Sequence, residues 1–194
     1  MAAISIILAS GSGYRRELLG RLGLPFETWS PDIDEAALAG EAPSATAERL
    51  ARAKARAAAA RHSRCLIIGC DQVAEVEGAA LGKPGTLANA RAQLTRLSGR
   101  EALFHTGLCL LNAATGREQS RVVTTDVAFR RLEAAEIDRY LEREPALDCA
   151  GSAKSEGLGI ALLSRLGGSD PTALIGLPLI ALSEMLRAEG IAVP

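Results

Sequence analysis

Ile4-Ser5-Ile6-Ile7-Leu8-Ala9 is an apolar run suited to a buried strand, and it breaks at once into Ser10-Gly11-Ser12-Gly13. The turn opens a segment in which Leu18, Leu19 and Leu22 recur at helical spacing. A strand, a tight loop and a helix N-terminus thus follow one another directly, the opening of an α/β layer. Such a junction aims several backbone N–H groups and the positive end of the helix dipole at one spot, so it can hold an anion. Ser10 and Ser12 add hydroxyls, and Arg15 and Arg16 add guanidinium groups. Two cations in a first helical turn oppose the dipole, a cost relieved when an anion sits between them and the loop. The competing reading is a Ser12-capped surface helix with solvated arginines.

A second run, Cys65-Leu66-Ile67-Ile68-Gly69-Cys70-Asp71-Gln72-Val73, is nearly continuous in apolar residues and suits a strand covered on both faces. A carboxylate at its C-terminal end, Asp71, emerges where open α/β sheets place their sites, and Gly69 is compatible with a close backbone approach beside it. Upstream, Asp32-Ile33-Asp34-Glu35 puts three carboxylates into four residues. It is either a solvated turn or the hard-oxygen part of a magnesium site, since that ion needs only one or two carboxylates when phosphates supply the rest. Lys54 falls in an alanine-rich helix expected from an N-cap at Ser44 to about Arg61, with Glu48 in its first turn. Gly82-Lys83-Pro84 holds a lysine on a constrained loop, which lowers the entropy of aiming an ammonium at phosphates.

The remaining pattern is coarse. Thr86 caps a helix to about Leu97, Ala102 to Asn112 and Glu118 to Arg130 form a β hairpin, Leu132 to Arg143 is an amphipathic helix, and Ile180 to Ala188 closes the chain as a helix. The adjacent β segments require antiparallel pairing beside the parallel strands of an α/β fold. His105 is read as structural, and Cys65, Cys70, Cys109 and Cys149 as small hydrophobes, since their spacing suggests neither zinc nor disulfides. The 194 residues suit one core, read as a single domain over 1–194. With 22 Lys and Arg against 23 Asp and Glu, no global field would draw the chain to nucleic acid or an anionic membrane. The absence of a secretory or spanning pattern makes the cytoplasm the default address.

Read in order, these stretches resemble the Maf family of nucleotide pyrophosphatases. Leu8 to Leu19 is similar to its L-A-S-x-S-P-x-R-R-x-x-L-L signature, with Gly13 in place of the proline. Asp34-Glu35 matches its D-E pair, Leu50 to Ala55 its L-A-x-x-K-A, Gly69-Cys70-Asp71 its G-x-D, Gly82-Lys83-Pro84 its G-K-P and Thr106-Gly107 its T-G. Ala150 to Gly159 resembles A-G-x-x-x-x-x-G-x-G, and Asp170 to Leu179 resembles D-P-x-x-x-x-G-L-P-L. The resemblance implies a long, mixed, twisted sheet flanked by helices, like that of inosine triphosphatases, with a nucleotide cleft between two lobes. It implies a homodimer as well.

It also implies hydrolysis of a nucleoside triphosphate between its α and β phosphates with a divalent cation, Mg²⁺ or Mn²⁺. Ser10, Arg15, Lys54 and Lys83 would hold phosphates, Glu35 and Asp71 the metal, and Asp71 would be the catalytic carboxylate, as general base or metal ligand. Whether Arg15 or Arg16 faces phosphate is left open. Tyr14, Gln72 and Glu156 stand where a branch acting on 7-methyl-GTP differs from branches preferring dTTP or UTP. A second class of function, a nucleotide-binding regulator of cell division with little turnover, would need the pocket but not the two carboxylates.

Overall fold

The computed structural model describes residues 4–194. Seven strands form one mixed sheet: β1 (Ser5–Ala9), β2 (Glu27–Thr28), β3 (Cys65–Val76), β4 (Ala79–Leu81), β5 (Glu101–Asn112), β6 (Glu118–Phe129) and β7 (Leu163–Gly167). Five helices accompany them: α1 (Gly13–Gly20), α2 (Pro43–Ala59), α3 (Leu87–Leu97), α4 (Ala134–Arg143) and α5 (Leu179–Ala188). The strand order is β2-β1-β3-β5-β6-β7, with β4 paired to β3. β1 runs parallel to β2 and β3, placing Ala9 opposite Gly69, whereas β3–β4 and β6–β7 are antiparallel. The expected mixed sheet with flanking helices is present.

The chain divides into two compact units, one of 1–71, 106–123 and 170–194, the other of 72–105 and 124–169. In the first unit the sheet is covered on both faces. Ile6, Leu8, Leu66, Ile68, Cys70, Leu108 and Leu110 pack with Leu18 and Leu19 of α1 and Leu182, Met185 and Leu186 of α5. Ile7, Ala9, Cys65, Ile67, Cys109 and Leu111 pack with Ala51, Ala55 and Ala58 of α2. Even-numbered residues of β1 and β3 thus face one helical layer and odd-numbered residues the other, which is why both strands read as unbroken apolar runs.

α2 lies unusually close to the sheet. A Cβ on Gly69 would stand 2.1 Å from the Ala51 carbonyl oxygen, and one on Gly107 would stand 2.2 Å from that of Ala47. The helix backbone rests directly on two strand glycines, with alanines filling the gap that larger side chains would hold open.

In the second unit α3 packs on α4 and on the short 3-10 helix Ala150–Ser152, which is followed by a second, Leu158–Leu162. Ala90, Leu94 and Leu97 of α3 and Ile137, Tyr140 and Leu141 of α4 are buried. Thr86 caps α3 by accepting from the Asn89 amide at 3.2 Å. Glu77 and Gly78 both adopt positive φ, 52° and 78°, in the two-residue turn between β3 and β4, the geometry that matches strand twist.

Two local expectations fail. Ser44 is not the N-cap of α2: Ala42 occupies that position without a side-chain bond, and Pro43 stands at the first turn, its ring fixing the helical φ that a cap would otherwise have to select. Glu48 therefore lies beyond the first turn. β7 has no counterpart in the sequence reading, because its edge residues Ser164, Arg165 and Leu166 are exposed and show no apolar alternation. Among the described residues no helix is long and apolar enough to cross a membrane.

Gly69→Ala should destabilise the protein by about 1–3 kcal/mol or more, the scale of overpacking against backbone. Gly20→Ala, which meets nothing within 4 Å at a helical position, should be neutral or slightly stabilising. Denaturant midpoints of the two variants give the comparison.

Candidate active site

At the C-terminal end of β1 the chain turns through Ser10 into α1, whose N-cap is Ser12. The buried Ser10 hydroxyl accepts from the Ser12 amide at 3.1 Å and from Arg15 Nη1 at 3.3 Å. Arg15 Nε donates to the Gly176 carbonyl at 3.0 Å. Its guanidinium therefore lies against two neutral oxygens, neither of which neutralises it, beside the positive end of α1. Arg16 is exposed. Of the two arginines, Arg15 is the one folded onto the Ser10 loop.

The Gly176 carbonyl is itself held in place. Asp170, 2 % exposed, accepts at one oxygen from the Thr172 amide at 2.9 Å and the Thr172 hydroxyl at 2.6 Å, and at the other from the Ile180 amide at 2.7 Å. It thereby satisfies an orphan donor of α5 and tightens the loop before that helix. Thr106 Oγ1 donates to the Ala173 carbonyl at 2.9 Å, and Cys70 Sγ donates to Gly176 at 3.0 Å. Sequence reasoning gave Asp170 and Gly176 no role. Both lie in the segment that resembles D-P-x-x-x-x-G-L-P-L, but a backbone acceptor for Arg15 leaves no side-chain signature.

Lys54 is 7 % exposed and Asp71 8 %. Lys54 Nζ lies 2.6 Å from Asp71 Oδ1 and 2.6 Å from Glu35 Oε1, so one ammonium holds a buried and an exposed carboxylate within twice that distance of each other. The approach of α2 onto Gly69, two residues before Asp71, makes this reach possible. Asp34 is used differently: its Oδ1 accepts from the Ala36 amide at 2.9 Å, an Asx-type turn that shapes the acidic loop. Arg49 of α2 ties the same loop down, donating to the Ala36 carbonyl at 2.9 Å and to Glu41 at 2.7 Å. That guanidinium pulls the Glu41 carboxyl from 4.5 to about 2. A depressed carboxylate adds stability that is present above about pH 4.5 and lost as pH falls toward 2, so the tether is acid-resistant.

Gln72, Lys83 and Glu156 belong to the second unit. Gln72 is half-buried in β3. Lys83 is exposed on a loop whose backbone is fixed on both sides: the Gly82 carbonyl accepts from Gln93 Nε2 at 2.8 Å and the Pro84 carbonyl from Asn89 Nδ2 at 2.9 Å. Glu156 is exposed in a turn closed by the Gly157 amide donating to the Lys154 carbonyl at 3.0 Å. The Lys154 amide donates to the Tyr140 hydroxyl at 3.1 Å and the Gly159 amide to Glu144 at 3.2 Å, which fastens this segment to α4. Burial raises the Tyr140 phenol well above its ordinary value. Tyr14, by contrast, is half-buried in the first turn of α1, in the first unit with Ser10, Arg15, Glu35, Lys54 and Asp71.

Residues outside these groups have structural surroundings. His105 bridges Glu75 at 2.9 Å and Thr124 at 3.0 Å within the second unit. All four cysteines are free thiols, and burial pushes Cys109 and Cys149 up to about 12. Among the described residues no three His, Cys, Asp or Glu side chains form a metal cluster. Glu35 and Asp71 nevertheless fit a hard dication that takes one or two carboxylates and completes its shell with phosphate oxygens and water, since both already converge on one cation.

The family model described as Maf-like protein matches residues 5–189. A 7-methyl-GTP pyrophosphatase of Aromatoleum aromaticum is 57% identical over 189 residues, 97% of each chain. One from Xanthomonas campestris pv. campestris is 56% identical over 189 residues, covering 97% of this chain and 98% of that one. Among solved structures, the Staphylococcus aureus Ham1 protein is similar at 18% identity, over 64% of this chain and 71% of that one, with a TM-score of 0.46. The motif order from Ser10 to Leu179 and full-length identity of this size lead to one conclusion: the chain belongs to the Maf family.

Proposed function

We propose that this protein hydrolyses nucleoside triphosphates between the α and β phosphates, releasing a monophosphate and pyrophosphate, and that 7-methyl-GTP is its preferred substrate. The observation that carries the reaction class is the pairing of Lys54 with both Glu35 and Asp71 at 2.6 Å, in the same unit as the Ser10–Arg15 loop. Cations and aligned amides suit a polyphosphate, and carboxylates suit a metal and a water.

In this reading the Ser10 hydroxyl, the amides at the start of α1 and the Arg15 guanidinium bind phosphate oxygens, with Arg15 pre-oriented by the Gly176 carbonyl. Lys54 adds a buried positive charge, and Lys83 adds a second on a loop that is already ordered. Asp71 receives the proton of the attacking water or orients that water. A divalent cation held by Glu35 and Asp71, Mg²⁺ or Mn²⁺, would supply neutralisation of charge developing on the phosphates. The family resemblance supports a homodimer as the working unit, which sedimentation of the purified protein measures.

For the base, the support is chemical and comparative. Relatives 56–57% identical carry the name 7-methyl-GTP pyrophosphatase. Guanine presents N1–H and an exocyclic amine side by side, and the Glu156 carboxylate can accept both. Methylation at N7 makes the ring cationic, which adds attraction for a carboxylate and for the face of an aromatic such as Tyr14.

Asp71→Asn should leave the fold and nucleotide binding intact and lower turnover by roughly a hundredfold or more, the scale of a lost general base or metal carboxylate. Pyrophosphate release under saturating nucleotide checks this, and near-normal turnover removes Asp71 from the reaction. Lys83→Ala should raise KM for the triphosphate without altering base preference. Glu156→Gln should erode the kcat/KM advantage of 7-methyl-GTP over GTP, dTTP and UTP more than it slows overall turnover; a kinetic panel in which the unmodified protein favours dTTP or UTP defeats the assignment.

A further inference from the structure

The ammonium of Lys54 occupies the space between the two carboxylates that suit a dication. It stands 2.6 Å from Glu35 Oε1 and 2.6 Å from Asp71 Oδ1. A magnesium ion bound by the same two oxygens would approach each to about 2.0–2.1 Å. A dication and an ammonium cannot share that volume, because both would sit within about a hydrogen-bond length of the same two oxygens with like charge. The backbone behind Lys54 has no slack, since α2 already rests on Gly69 at contact distance. The side chain does: its four-carbon stem turns about several single bonds, so the ammonium can swing while the helix stays.

We infer that Lys54 is the resident counter-ion of the Glu35–Asp71 pair in the nucleotide-free protein, and that it must leave the pair for a dication to enter. A buried ammonium that leaves two carboxylates needs a new anionic partner, or its desolvation is uncompensated. A triphosphate supplies that partner. Dication and nucleotide therefore bind with positive coupling: the polyphosphate draws Lys54 off the carboxylates, and the vacated oxygens accept the metal. Without nucleotide, the protein holds a divalent ion weakly. This rests on the pyrophosphatase reading for the identity of the anion, but the competition between Lys54 and a dication does not.

The test uses MnCl2 alone as the probe, with free Mn²⁺ read by electron paramagnetic resonance and the folded state of each protein established by circular dichroism. Wild type should bind Mn²⁺ weakly without nucleotide, and Lys54→Met should bind it on the order of tenfold more tightly, within the range of ordinary coupling free energies. Arg56→Gln removes one positive charge from the same helix at a residue paired instead with Glu118 at 2.8 Å, and should leave Mn²⁺ affinity within about twofold of wild type, as expected for a screened surface charge. Adding a non-hydrolysable α,β-methylene analogue of 7-methyl-GTP should tighten Mn²⁺ binding in wild type by more than in Lys54→Met. If Lys54→Met does not fold, Lys54→Gln takes its place, and the wild-type titration with and without the analogue still decides. The inference is overturned if a folded Lys54 variant binds Mn²⁺ no more tightly than wild type, or if wild type binds Mn²⁺ alone as tightly as with the analogue. Failure of the pyrophosphatase reading would show separately, as absence of pyrophosphate release with an unchanged difference between wild type and variant in MnCl2 alone.

Discussion

The contact between α2 and the bare backbone of Gly69 and Gly107 sets the dimensions of the first unit. A helix normally stands off a sheet by the thickness of the side chains between them, about 10 Å. Here the odd-numbered strand positions under α2 include two glycines, and the helix answers with Ala47, Ala51 and Ala55. Little apolar area is gained per residue by such small groups, so the layer relies on close fit and dispersion rather than on large side chains. The functional return is reach. From this depth a lysine on α2 can touch a carboxylate at the end of β3, and both are withdrawn from water, where their charges act at full strength.

A second set of contacts joins the Ser10 loop to the segment before α5. Arg15 occupies the first turn of α1, where the helix dipole disfavours it. Its position is held by Ser10 Oγ and Gly176 O, and Gly176 is in turn fixed through the Asp170, Thr172 and Thr106 hydrogen bonds. A buried aspartate more than a hundred residues downstream thus determines where a guanidinium at the start of the chain points. The arrangement keeps a cation beside the positive end of a helix, held there by hydrogen bonds to neutral oxygens, which is a local conflict of the kind functional sites carry.

The sheet, its two covered faces and most helix ends were legible because each leaves a periodic or capping signal. β3 reads as a buried strand since both its faces are apolar, and α3 reads from Thr86 because a hydroxyl there caps it. α2 was misplaced at its start because Ser44 is a good cap in isolation, whereas Pro43 in the first turn overrides it. β7 left no pattern, as an exposed edge strand need not alternate. For the site, Lys54 and Asp71 were visible as residue types in motifs, but their direct contact depends on the depth of α2, a tertiary quantity. The acidic cluster alone does not separate Asp34 from Glu35, and only the family resemblance singled out Glu35; in the fold Asp34 closes a turn on Ala36 and Glu35 reaches Lys54. Nothing in the sequence marks the Gly176 carbonyl.

The alternation of β3 carries a consequence for how this chain can change. Cys65, Ile67, Gly69 and Asp71 share the face under α2, while Leu66, Ile68 and Cys70 share the face toward α1 and α5. The strand therefore behaves like a reading frame with a period of two. Side-chain substitutions leave the frame intact, but loss or gain of a single residue between Cys65 and Asp71 would exchange the two faces. The carboxylate would turn into the leucine-lined layer, and the glycine that admits the helix would be replaced beneath it by a side chain. Length in this segment is thus far less free to drift than composition, and the coupling between a packing requirement and a chemical one is written into the parity of residue numbers.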